Sequence, residues 1–118
     1  MRTFYHPARE QIELASVLYA LSDPVRLSIV ETLSGGGEVS CGEFGMDLPK
    51  STVSHHFRVL REAGVTKTRA QSTRVFLSLR RDDLEARFPG LLDSIVSANR
   101  KSERGRARAA ARKEVSHA

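Results

Sequence analysis

The apolar positions of this chain change period at Gly64, and that change limits the fold more than any other feature. Before it, apolar residues recur at helical spacing. After it, RVFLSL, residues 74–79, puts Val75, Leu77 and Leu79 on one face at period two, the spacing of a half-buried strand. In VTKTR, residues 65–69, Lys67 and Arg69 alternate with Thr66 and Thr68. Two short strands joined by Ala70-Gln71-Ser72-Thr73 predict a hairpin, and the turn has no glycine to fix its type.

The segment ahead of Gly64 reads as four helices. Residues 8–21 place Ile12, Ala15, Leu18 and Leu21 on one helical stripe. In residues 22–34, Asp23 can cap a second helix with Pro24 in its first turn. Leu27, Ile29, Val30 and Leu33 give its inner face, and Gly35-Gly36-Gly37 stops it. Ser40 with Glu43 has the spacing of a capping box and predicts a short third helix over 40–47, ending before Pro49. The fourth runs over 51–63, with Gly64 as a left-handed stop. Beyond the hairpin, Asp82 and Asp83 suit the start of a last helix, whose apolar positions are Leu84, Phe88, Leu91, Leu92, Ile95 and Val96. Pro89-Gly90 breaks or kinks it. The expected class is mainly α with a small β-hairpin, in one domain over 1–99. Residues 100–118 have almost no large apolar side chain and are expected to form a basic, disordered tail.

Charge is unevenly placed. Residues 1–49 carry three basic and seven acidic side chains, residues 50–81 eight and one, and residues 82–99 one and four. All the positive excess of the body therefore sits in one block, which suggests a polyanion partner more than diffuse basicity would. A solvated face that only aids solubility is the competing reading. No apolar run reaches the length of a membrane span, and MRTFYHPARE lacks the apolar region of a signal peptide. One cysteine, Cys41, cannot form an internal disulfide, so a reducing, cytoplasmic setting is expected.

The positive block opens with STVSHHFRVL, residues 51–60. On a helix, Val53, Phe57 and Leu60 share one face, with His56 at its edge. Ser51, His55 and Arg58 take the opposite face, flanked by Thr52 and Ser54. Hydroxyls, imidazole and guanidinium on one outer face suit phosphates and base edges of a DNA major groove. With the short helix before it, this is a helix-turn-helix arrangement, and the basic hairpin with Lys67, Arg69 and Arg74 would lie beside it as a wing. A metal site is the weaker reading, because adjacent histidines diverge by about 100° on a helix. His56 reads as a structural histidine. No serine, base and acid set points to hydrolysis, and no catalytic role is expected.

DPVRLSIVETL, STVSHHFRVLREAGV and TRVFLSL, in that order, resemble the ArsR/SmtB family of bacterial transcriptional regulators, over about residues 10–98. The resemblance implies a winged helix-turn-helix homodimer that pairs through its first and last helices and represses an operon by binding an inverted repeat. It implies Ser51, Thr52, Ser54, His55 and Arg58 as contacts from the recognition helix 51–63, and Lys67, Arg69 and Arg74 from the wing 66–79. Double-stranded DNA and a second copy of the chain are the expected partners. A winged helix used only for docking to protein is the alternative.

The family's metal sites transfer poorly. In EVSCGEF, Ser40 and Gly42 stand where the family's cysteine pair would be, with Cys41 between them. Residues 83–99 hold Asp83, Glu85 and Asp93 but no histidine. His6 and His117 are the remaining candidates for a nickel or zinc site across the dimer, and terminal histidines more often bind nothing. A partner protein or small effector could signal instead.

Overall fold

A computed structural model describes the backbone of residues 3–116 and the side chains of residues 3–103. A 3-10 turn at Arg9–Gln11 precedes α1 (Leu14–Ala20) and α2 (Pro24–Leu33). A short strand β1 (Val39–Ser40) and a second 3-10 turn (Cys41–Phe44) lead into α3 (Lys50–Glu62). Then come β2 (Thr66–Gln71), β3 (Arg74–Leu79), α4 (Arg81–Arg87) and α5 (Leu91–Ser116). The strands form one antiparallel sheet in the order β1-β3-β2, with Val39 and Thr68 on either side of Leu77. This is a winged helix-turn-helix, with β2 and β3 as the wing. Among the described residues no helix is long and apolar enough to cross a membrane.

Where local chemistry is decisive, the elements start and stop as expected. Asp23 accepts from the backbone N–H groups of Val25 and Arg26 at 2.8 and 3.0 Å, and Pro24 follows it. Such a cap contributes about 1 kcal/mol. The hairpin closes between Gln71 and Arg74, with Ser72 in the left-handed region at φ 57°. Gly90, at φ 80°, separates α4 from α5.

Four expectations are corrected. The first helix is split, because Ile12 is extended and its carbonyl accepts from Arg87 at 2.6 and 3.2 Å rather than continuing the helix. Its buried side chains are Val17 and Ala20, while Ala15 and Leu18 face out. The third helix is only the 3-10 turn Cys41–Phe44. Ser40 makes no side-chain cap there; its backbone, in β1, pairs with Phe76 of β3, and Gly45, left-handed at φ 60°, ends the turn after Phe44. That third strand was not predicted, since two residues carry no period. Finally, the expected tail continues α5 to Ser116. Its run of alanine and arginine has high intrinsic helix propensity.

The core lies between the helices and the inner face of the sheet. Ile12, Val17, Ile29, Leu33, Leu60 and Leu77 are almost wholly buried. Burying each of these contributes roughly 1.5–3 kcal/mol relative to leaving it exposed. Gly64 joins α3 to the wing at φ +88°, and a Cβ there would sit 2.6 Å from Ile12 Cγ1. Two separate constraints, a left-handed backbone and no room, therefore demand glycine. Gly64→Ala should destabilise the fold by on the order of 1–3 kcal/mol. A urea titration with an unchanged midpoint would refute this packing.

Candidate nucleic-acid interface

Helix α3 is held from behind by polar and apolar contacts. Leu60 is fully buried, and Val53 and Phe57 are half-buried. The Phe57 and Phe44 rings meet at 5.4 Å between centroids, tilted by 55°. His56 is 9% exposed, deeper than the edge position its spacing suggests. Its partner is Arg26, 6% exposed, whose Nη1 lies 3.2 Å from His56 Nδ1. Arginine only donates, so Nδ1 is the acceptor. Arg26 also donates to the carbonyl of Ala20 at 2.7 Å and of Tyr19 at 3.3 Å, and lies over the Tyr19 ring. The arginine in DPVRL thus fixes the end of α1 to the back of α3. Hydropathy periodicity hides it, because a charged residue occupies an inward position beside Ile29, Val30 and Leu33.

The front of α3 is open. Ser51, Ser54, His55 and Arg58 are exposed, and Thr52 is half-buried at the margin. Arg58 Nη2 lies 3.2 Å from His55 Nδ1, so the two form one hydrogen-bonding unit. Lys50, not singled out by the sequence reading, opens the helix and is exposed. The first turn holds no acid, and no side chain caps it. Its leading N–H groups and the positive end of the helix dipole therefore face out.

The three wing residues separate. Lys67, Arg69 and Arg74 are all exposed on the outer face of the sheet. Arg69 is committed within the fold: it donates to both oxygens of Glu38 at 2.8 Å and to Gln71 at 2.8 Å. Arg69 holds the Glu38 carboxyl below its ordinary range. The guanidiniums of Arg69 and Arg74 lie over the Phe76 ring, at 4.9 and 5.0 Å. Arg74 sits at the tip, and its carboxylate contact, to Glu43, is a long one at 3.4 Å. Lys67 is at the base of the hairpin, opposite Ser78 and beside Asp82 and Asp83. Exposed Ser72 and Thr73 form the tip, within the turn expected from the sequence.

Among the described residues no group of three or more histidine, cysteine or acidic side chains could hold an ion. His6 Nε2 accepts from the backbone N–H of Thr68 at 2.9 Å, which uses that nitrogen. His117 lies outside the described residues. Cys41 is half-buried, and desolvation pushes its thiol up, away from the reactive thiolate.

His6 belongs to an arm, residues 4–7, strapped across α3 and the wing. Arg61 Nε donates to the Tyr5 carbonyl at 3.1 Å and its guanidinium lies over Phe4. Arg80 donates to the Pro7 carbonyl at 2.7 Å. Burial, then the charges of Arg80, Arg61 and Lys67, hold His6 below its ordinary 6.5. The unfolded chain takes up this proton at higher pH than the folded one. Stability from His6 is therefore present above 6.5 and is lost as pH falls from there through the lower folded value. Urea midpoints measured from about pH 7.5 to about pH 5 should fall, and His6→Gln, which keeps an acceptor without titrating, should flatten that fall. Equal slopes would remove His6 as the cause.

Residues 21–69 match a helix-turn-helix domain family. The uncharacterized HTH-type transcriptional regulator YceK of Bacillus subtilis is 45% identical over 84 residues, covering 69% of this chain and 84% of that protein. The crystal structure of the transcriptional repressor BigR from Xylella fastidiosa is 34% identical and superposes with a TM-score of 0.57, over 72% of this chain and 84% of that one. A solved ArsR family transcriptional regulator, 18% identical, has a TM-score of 0.58 over 77% of this chain and 96% of that chain, and shows the fold alone.

Proposed function

Because this chain belongs to the ArsR/SmtB family of winged helix-turn-helix, DNA-binding transcriptional regulators, we propose that it is a repressor that binds an inverted-repeat operator as a homodimer. The carrying observation is the two-sided character of α3: a back locked to the body by Arg26, His56 and Leu60, and a front of Ser51, Ser54, His55 and Arg58 that the described residues leave exposed.

In this reading α3 enters the major groove. Arg58, braced by His55, reads a base edge, and Ser51, Thr52 and Ser54 bond to phosphates or bases near the helix start. Arg74 and Lys67 neutralise phosphates beside the groove. Arg69 acts by holding Glu38 and Phe76, which sets the shape of the wing. Leu14 and Leu18, one helical turn apart on α1 and each 45% exposed, form the apolar strip through which two copies pair. Two-fold pairing would set the recognition helices about 34 Å apart, one DNA turn. No metal is assigned as effector. A reducing, cytoplasmic setting suits the free thiol of Cys41.

Fluorescence anisotropy on the duplex upstream of the protein's own gene, against a scrambled duplex, tests this. Arg58→Ala should cost about 1–3 kcal/mol on the preferred duplex and little on the scrambled one. Lys67→Ala should weaken both alike and reduce the salt slope by about 1. An even loss for both mutants on every sequence would overturn the division of roles, and no salt-dependent duplex binding at all would favour a protein-docking unit. Leu14→Glu with Leu18→Glu should convert the dimer to a monomer in light scattering; a persistent dimer would place the interface elsewhere.

A further inference from the structure

A groove of about 460 Å³ runs behind α3, between that helix, the loop after β1 and the inner face of the wing. Its volume lies within the roughly 300–1,000 Å³ range of small-molecule sites. It lies where the chain between Ser40 and Pro49 makes one 3-10 turn rather than a helix. Phe44, Met46, Leu48, Val53 and Phe57 make its body apolar. None of its described lining side chains is acidic.

One end is different. Thr68 lines the groove and is 7% exposed, and its hydroxyl has no hydrogen-bond partner among the described residues. A buried hydroxyl left unpaired costs stability, so an acceptor brought within its reach would relieve that cost. Arg61 lines the same groove. Both residues are tied to the N-terminal arm, Arg61 to Tyr5 and Thr68 to His6. A cation and an unused donor thus share the arm end of an otherwise apolar slot. The slot follows α3 from Lys50 to Arg61, about 16 Å at 1.5 Å per residue.

We propose that this groove binds a slender apolar carboxylic acid, its carboxylate on Arg61 and the Thr68 hydroxyl and its chain against Phe44, Met46 and Phe57, and that this acid is the effector. A carboxylate meets both needs, because it accepts from guanidinium and from hydroxyl together. The chain replaces water along the apolar walls. Ser54 and Lys50 border both the groove and the exposed start of α3. Occupancy would therefore reposition the residues assigned to DNA. The effector half rests on the DNA-binding reading above; the binding half does not.

Calorimetry of the full chain with octanoate, without DNA, tests the site, with 1-octanol as the neutral control. Octanoate should bind at least about tenfold more tightly than the alcohol. Gly42→Leu fills the groove from a position where a Cβ meets nothing within 4 Å and the backbone is not left-handed, and it should abolish binding. Thr68→Val should weaken octanoate several-fold while raising the urea midpoint, because it removes the unpaired hydroxyl without changing volume. A purely structural threonine would give no loss of octanoate affinity. Arg61→Gln should erase the preference for acid over alcohol. No heat with octanoate, or equal binding by wild type and all three variants, would overturn the site. If Gly42→Leu fails to fold, Thr68→Val and Arg61→Gln decide alone. On a duplex that the protein demonstrably prefers, saturating octanoate should lower affinity at least about tenfold; unchanged affinity would overturn the effector role and leave the site. Failure to prefer any duplex would instead count against the regulatory reading, and calorimetry would still decide the groove.

Discussion

The buried guanidinium of Arg26 is the contact on which the arrangement of the helices depends. It closes the C-terminal carbonyls of α1 through Tyr19 and Ala20, and its other edge meets His56 on α3. Helix ends leave carbonyls without partners, and burying them unpaired is costly. Arg26 removes that cost for α1 and uses the same planar fork to orient α3. Lysine, a point donor, could not span the three acceptors. The orientation of the exposed face of α3 is thus set from behind, by a buried residue.

The same economy of arginine governs the basic block. Of its eight cations, four are tied into the fold. Arg61 holds the arm at Tyr5, Arg69 pairs with Glu38, Arg80 joins Pro7 to Asp83, and Arg81 reaches Asp93. Lys50, Arg58, Lys67 and Arg74 are exposed, Arg58 resting on His55 and Arg74 on Phe76 and Glu43. Exposed ion pairs such as Arg69–Glu38 contribute little to stability in water. Their consequence is geometric: they fix the wing and leave a smaller, better-defined positive surface than the charge count alone suggests.

A short connection between β1 and α3 is the other shaping constraint. Gly45, left-handed at φ 60°, stops the turn after Phe44, and Pro49 precedes α3. A full helix at that place would fill the space behind α3. The single turn leaves Phe44, Val53 and Phe57 around a groove, with the Thr68 hydroxyl buried beside it. The single turn and the open space behind α3 therefore occur together.

The sequence by itself determined the elements whose signals are local. Asp23-Pro24 starts α2, Gly64 ends α3, period two marks β3, and the polar front of α3 follows from 3.6-residue spacing alone. Each rests on the dihedral or hydrogen-bonding preference of neighbouring residues. Tertiary structure decided what depends on partners distant in the chain. Ile12 leaves the helical path because Arg87, 75 residues away, takes its carbonyl. Ser40 becomes a strand residue rather than a cap because Phe76 lies opposite. Arg69 and Arg74 look alike in sequence, yet only Arg69 meets a carboxylate with matching bidentate geometry. Which charge is occupied and which is free is a property of three-dimensional neighbours, and no local pattern encodes it.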